Sequence, residues 1–340
     1  MLSISVEWRE GAPRLLLDGE PSDLRALQQR LVAKHPASLA ISASHLEGLR
    51  QARQQMELVN EVFRVLLEGL AETVEELRME EAATESHLAP SLLYHLACCV
   101  QRVRLASRRP ARGKPNVGLW AALRPAGSLE RLVVSLAGVE PSAAVLRHGL
   151  VDKPRLHSLT IAGLQHLSPQ AIHEALQGAA PQALRRLALL HPRLPELLLL
   201  DSKGAQLLRQ VERLDWLPGG GLDPLGFMAA QPALKELRFV LPAQPRSSDL
   251  KLVAERCGEV AGAFIRLHQE EQRQLAINAE LRLPVQRCPS FLALINRKVV
   301  RVAGGSRCEG LNCALAQPCE AVFKAHKGSA SVAIHGLRFT

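Results

Sequence analysis

The chain has 340 residues, room for one large domain or two ordinary ones. Apolar residues make up 47% and aromatic residues only 3%, which excludes long disorder and predicts a core of Leu, Val, Ile and Ala. Lys plus Arg (42) exceeds Asp plus Glu (33), and the resulting formal charge of +9 favours acidic partners, nucleic acid or anionic surfaces.

Glu7 and Glu10 interrupt the opening segment before any apolar stretch, so no signal peptide is expected. Residues 2–8 and 13–17, joined around Gly11-Ala12, predict a β-hairpin. A Leu-rich helix is expected near residues 22–34. Residues 46–80, with few breakers and many Gln, Glu and Arg, are the longest helical stretch. The longest apolar runs, such as Leu197–Leu200, fall far below the roughly 18 residues that cross a membrane, so no membrane partner is expected.

One short pattern then returns, L-x-x-L-x-φ, with φ apolar. It reads LERLVV from Leu129, LHSLTI from Leu156, LRRLAL from Leu184, VERLDW from Val211 and LKELRF from Leu234. The starts lie 27, 28, 27 and 23 residues apart. Weaker copies are VEELRM from Val74, VQRVRL from Val100 and VAGAFI from Val260. Segments between the copies read as helices. Ser168 is a natural N-cap with Pro169 at the first helical position, and Pro141-Ser142 opens a similar stretch. Ser247, Ser248 and Asp249 precede another, with Leu250, Leu252, Val253 and Cys257 apolar. After about residue 284 the texture changes. FLALINRKVVRVAGG and SASVAIHGLRF alternate and carry β-branched residues, which predicts a short β-rich tail.

A short strand, a helix and another short strand at fixed period resembles the leucine-rich-repeat family, in its ribonuclease-inhibitor-like class, over roughly residues 74–265. The family's Asn or Cys at the turn after the strand is largely absent, since Leu159-Thr160-Ile161 runs on to Ala162, Gly163 and Leu164. The resemblance therefore implies an irregular α/β solenoid with short parallel strands and outer helices. The competing picture, a Leu-rich helical protein in which L-x-x-L marks helix faces, is opposed by the four consecutive spacings and by Thr, Val, Ile and Phe at strand positions. The organisation expected is a hairpin-and-helix cap over 1–73, the solenoid over 74–284 and the β-rich tail over 285–340. Stacking is obligatory in such a design, because one strand-helix unit cannot bury its own apolar face.

Alternation along a strand sends the first, fourth and sixth positions of each copy to the core and the third, fifth and seventh to a concave sheet face. Arginine recurs on that face at Arg102, Arg104, Arg131, Arg186, Arg213 and Arg238. Their planar forks pair bidentately with carboxylate or phosphate, so the expectation is a non-enzymatic interaction module holding an acidic protein or peptide. The alternative is nucleic acid or another polyanion on the segment SRRPARGKP, where Arg108, Arg109, Arg112 and Lys114 follow Arg102 and Arg104 with no acidic residue between. No aromatic residue interleaves with that segment until Trp120, so base stacking is not supported.

Seven cysteines without a secretion signal point to a reducing cytosol and free thiols. Cys288, Cys308, Cys313 and Cys319, with His326 and His335, lack the tight pairs of a zinc knuckle, so no metal and no cofactor are expected. Cys98-Cys99 follows Leu92, Leu93 and Leu96 and reads as core. His157, His173 and His191 are expected to face the surface or cap turns. No phosphate-binding loop, zinc-protease motif or nucleophile elbow occurs, and no nucleophile, base and orienting acid can be grouped from spacing.

Overall fold

The computed structural model describes residues 1–71, 73–108, 118–137, 140–177, 184–189, 209–217, 219 and 223–240, scattered positions between 248 and 267, and strands at 274–280, 319–326 and 329–338. The chain divides into two compact units, Met1–Ala183 and Leu184–Thr340.

The first unit opens with β1 (Leu2–Arg9), β2 (Ala12–Leu17) and β3 (Glu20–Ser22), followed by α1 (Leu24–Lys34) and β4 (Ser38–Ala43). β1 and β2 form the expected hairpin, with Ile4 opposite Leu17 and Val6 opposite Leu15. Gly11, at φ 81°, makes the turn that a Cβ would strain. Asp23 starts α1 by accepting the Ala26 N–H at 2.8 Å. The unit continues with α2 (Leu49–Gly69), β5 (Glu76–Glu81), a 3₁₀ turn (Ala82–Glu85) and α3 (Ala89–His95). Then come β6 (Arg102–Ser107), α4 (Gly118–Ala122), β7 (Arg131–Leu136), α5 (Ala143–Leu150), β8 (Ser158–Ile161) and α6 (Pro169–Leu176). Ser142 and Ser168 cap α5 and α6 through bonds from Val145 N–H and Ala171 N–H, as their positions in the sequence predict.

From β4 to β8 every neighbouring pair is parallel and in matched register. Leu39, Leu77, Val103, Leu132 and Leu159 stand side by side in one buried row. Ile41, Met79, Leu105, Val134 and Ile161 form the next. A second signature lies just before each strand. The Glu75 carbonyl accepts N–H bonds from Gln101 (2.8 Å) and Arg102 (2.9 Å) of the following repeat. The Gln101 carbonyl does the same for Glu130 (2.7 Å) and Arg131 (3.0 Å), and the Glu130 carbonyl for His157 (3.0 Å) and Ser158 (3.2 Å). The second residue of each of these three copies therefore staples its repeat to the next, which satisfies the backbone where the chain enters the sheet.

The second unit holds β9 (Arg186–Leu189), β10 (Arg213–Trp216), α7 (Pro224–Ala230), β11 (Glu236–Val240) and β12 (Gln274–Glu280). These four strands are parallel neighbours. Here too the Arg185 carbonyl accepts from Glu212 (2.8 Å) and Arg213 (3.0 Å), and the Glu212 carbonyl from Lys235 (2.8 Å) and Glu236 (2.9 Å). Trp216 packs its ring 5.8 Å from Phe227 and 5.4 Å from Phe239, so three aromatic residues meet in this core. β13 (Cys319–His326) and β14 (Ser329–Arg338) pair antiparallel, and residues 329–338 of the SASVAIHGLRF segment are thus a strand. FLALINRKVVRVAGG lies outside the described residues.

Three expectations change. The helix expected over 46–80 ends at Gly69, because Val74, Leu77 and Met79 follow the strand alternation and all three are buried. Val260 and Ala263, the described positions of the VAGAFI copy, are helical. Val253, Val260 and Ala263 are buried at helical spacing among helical residues, and the strand paired with β11 is β12, further along. A repeat also begins earlier than expected, inside residues 1–73. Pro36 replaces the first Leu and is buried, and the Ala37 carbonyl accepts from Glu75 (2.8 Å) and Glu76 (3.2 Å), as in the later copies.

Gly149 shows how closely the helices approach. A Cβ there would lie 2.8 Å from the Trp120 carbonyl oxygen and 2.9 Å from its ring. Alanine ordinarily stabilises a helix interior by about 1 kcal/mol over glycine. Gly149→Ala is expected to reverse that sign and lower stability by about 1–3 kcal/mol, measured by urea unfolding, because a backbone atom and a buried ring must give way.

Candidate interaction surface

The exposed face of the first unit's sheet follows from the same register. One row across it reads Ser38, Glu76, Arg102, Arg131 and Ser158. The next reads Ala40, Arg78, Arg104, Val133 and Thr160. Arg102, Arg104 and Arg131 are exposed, where alternation places them. Glu76, Arg78 and Glu80 join them. They are the third, fifth and seventh residues of the VEELRM copy, so the rule that gave the arginines reaches these residues too.

These acids change the character of the face. Glu76 Oε1 lies 2.6 Å from Arg78 Nη2, and Glu76 Oε2 lies 3.8 Å from Arg102 Nη1. Glu80 Oε1 accepts from Arg104 Nε at 2.9 Å. Four guanidiniums (Arg78, Arg102, Arg104, Arg131) thus meet two carboxylates (Glu76, Glu80). Among the described residues, Arg131 makes no ion pair.

On the second unit, Arg186, Arg213 and Glu236 are register neighbours, as are Ala188, Asp215 and Arg238. Asp215 is buried and takes ion pairs from Arg238 and, at 3.5 Å, from Arg213 Nε. Arg213 Nη1 also lies 3.4 Å from Glu236 Oε2. Arg186 is exposed and, among the described residues, makes no ion pair. The six arginines therefore divide into four held by acids and two, Arg131 and Arg186, left available.

Of the basic segment, Arg108 is described. It is exposed, its N–H reaches Glu81 Oε2 at 3.3 Å, and its Nε lies 3.9 Å from Glu81 Oε1. Arg109, Arg112 and Lys114 lie outside the described residues, as do Cys288, Cys308, Cys313 and His191. Cys98 is exposed and Cys99 half-buried, contrary to the core role expected. α3 ends at His95, and the turn after it sends Leu96 and Ala97 inward instead. His157 is exposed as expected, but His173 is buried on the inner face of α6 beside Ile172 and Leu176.

The ends of β4, β5 and β6 bring together residues that spacing did not group. His45 Nε2 lies 3.1 Å from Ser107 Oγ, and its Nδ1 lies 3.5 Å from Glu85 Oε1. Nucleophile, imidazole and acid stand in the order of a hydrolytic triad. Two contacts argue for a structural role instead. Glu81 Oε2 also faces His45 Nε2 at 3.5 Å and so competes with the serine for that nitrogen. The Arg108 N–H, the backbone donor next in the chain after the serine, is bonded to Glu81. Glu81 holds this position with φ 54° and ψ −135°, a strained backbone that the cluster over-determines.

Parallel strands in this register, stapled carbonyl by carbonyl, make the repeat leucine-rich-repeat-like. No protein-family model matches the chain, and no curated protein matches it. Among solved structures it is similar to the leucine-rich repeat-containing protein LegL7 from Legionella pneumophila, with 14% identity and a TM-score of 0.43, covering 81% of this chain and 94% of that one. The fold assignment rests on the strand register and the carbonyl staples of this chain. Among the described residues, no helix is long and apolar enough to cross a membrane.

Proposed function

We propose that the chain is a non-enzymatic interaction module whose exposed sheet faces hold an acidic protein or peptide. The observation that carries this reading is the excess of guanidinium over carboxylate on the first unit's face, with Arg131, beside Arg102 in the register, making no ion pair among the described residues. Neighbouring strands lie about 4.8 Å apart, so the two heads repel, and a partner carboxylate seated between them relieves that repulsion. Arg186 and Arg213 repeat the relation on the second unit. In this reading residues 74–284 are the binding array, residues 1–73 its cap and residues 285–340 a tail.

The test is recovery of a bound partner by wild type and by an Arg131→Glu, Arg186→Glu variant. Recovery is expected to fall at least about tenfold, because each reversal replaces an attraction with a repulsion. Undiminished recovery by a folded variant removes the sheet face from consideration. The rival reading is a polyanion on Arg108, Arg109, Arg112 and Lys114. It predicts steep salt dependence and loss of nucleic-acid binding when those four are neutralised, with the sheet-face variant unaffected.

A further inference from the structure

The helical side of the first unit carries a feature that the sheet-face reading does not use. α5 and α6 run beside each other and face outward with short side chains. Ala143 and Ala144 on α5, with Ala171 and Ala175 on α6, leave an open trough of about 470 Å³. That volume falls within the range of small-ligand and peptide-side-chain sites. Val151 adds to its apolar lining, and Arg124, Arg147 and His148 supply its polar groups with Glu174.

The charge of this trough is one-sided. Arg124 and Arg147 are exposed and, among the described residues, make no ion pair. Lys153 adds a third cation behind them. It is fully buried, and its Nζ donates to the Arg124 carbonyl at 2.8 Å and the Val151 carbonyl at 2.7 Å, both belonging to residues of the trough. A buried charge is screened less than a surface one, and Asp152 beside it offsets part of that charge. Glu174 is the one opposing group of the lining. Its Oε1 accepts from Gln170 Nε2 at 2.9 Å, along its own helix.

We propose that this trough binds an acidic peptide segment, with Asp or Glu side chains on Arg124 and Arg147 and small apolar side chains against the alanines. Charge complementarity selects the acid. The alanine and valine lining selects a chain with an apolar component over a bare anion. No Phe, Tyr or Trp is among the residues lining the trough, so it lacks the large rings on which nucleic-acid bases stack best. The site shares no residue with the sheet face.

The experiment is fluorescence anisotropy of a short fluorescein-labelled peptide of Glu, Leu and Ala, titrated with the full chain. Saturable binding is expected. Arg124→Glu with Arg147→Glu is expected to weaken it at least about tenfold. Ala171→Leu, which fills the trough from a half-exposed position, is expected to do the same without a charge change. Glu174→Gln is expected to tighten it by about threefold. The Arg131→Glu, Arg186→Glu variant is expected to bind as wild type does. Absence of saturation, or unchanged affinity in both trough variants with native circular dichroism, overturns the proposal. Equal displacement by inorganic phosphate and by unlabelled peptide reduces the trough to an anion site and overturns it too. Loss of binding only in the sheet-face variant places the peptide there, which refutes this proposal and leaves the other reading standing.

Discussion

Replacing Leu132 by alanine is expected to destabilise the first unit by about 3 kcal/mol in urea unfolding, within the range of about 2–5 kcal/mol for buried leucines. Leu132 is 0% exposed and stands in register between Val103 and Leu159, so the cavity opens in the middle of the buried row. Rigid strands on both sides, held by the staples at Gln101 and Glu130, limit collapse into it. In a stack of repeats, stability is close to a sum of each repeat and its nearest-neighbour interfaces. Hydrogen exchange should therefore accelerate most in β7 and β8 and least in β1 and β4. The control is Arg131→Ala, one residue away on the exposed face, which is expected to change stability by less than about 0.5 kcal/mol. Equal effects from the two, or uniform acceleration across the unit, would mean the rows are not the core.

The reason the repeat was readable from sequence lies in that contrast. Every first, fourth and sixth position of the copies from Val74 to Leu234 is buried, from Val74, Leu77 and Met79 to Leu234, Leu237 and Phe239. Strand alternation is a local rule, and it needs no knowledge of the neighbours. Features that depend on neighbours were hidden. Pro36 conceals the earliest repeat because a ring replaces the leucine while the Ala37 carbonyl still makes its staple. Val260 imitates a strand position because an apolar helix face and a strand face share residue types. The charge balance of the sheet face was half visible. The arginines follow from the formula, and so do Glu76 and Glu80 once VEELRM is read the same way, but the pairing of Arg213 and Arg238 through Asp215 needs two registers at once. His45, Glu85 and Ser107 come from three separate elements, and the trough from two helices. No spacing rule connects those.

Lys153 is a buried ammonium between Asp152 and Pro154, and it makes the first unit's stability depend on pH. Burial lowers its pKa from 10.5 to about 8, with nearby Asp152 acting in the opposite direction. The sign of the resulting pH dependence follows from proton counts. Below about pH 8 both folded and unfolded chains carry the proton, and folding bears the full cost of burying the charge, about 3 kcal/mol for a shift of this size. Between about 8 and 10.5 the unfolded chain holds the proton that the folded chain has released, so stability rises with pH. Above 10.5 the cost is gone, while the neutral amine still has hydrogens for the carbonyls of Arg124 and Val151. Lys153→Met removes the charge and also the two donors, and each orphaned carbonyl costs about 1–3 kcal/mol. At pH 7 these effects oppose and the variant is expected to lie close to wild type. At pH 11 only the lost donors remain, and the variant is expected to be less stable by about 3 kcal/mol. Urea unfolding of both proteins across that interval measures the difference, in which other titrating groups cancel. A difference that stays flat with pH would show that the ammonium is not buried, and a difference that narrows would reverse the sign argued here.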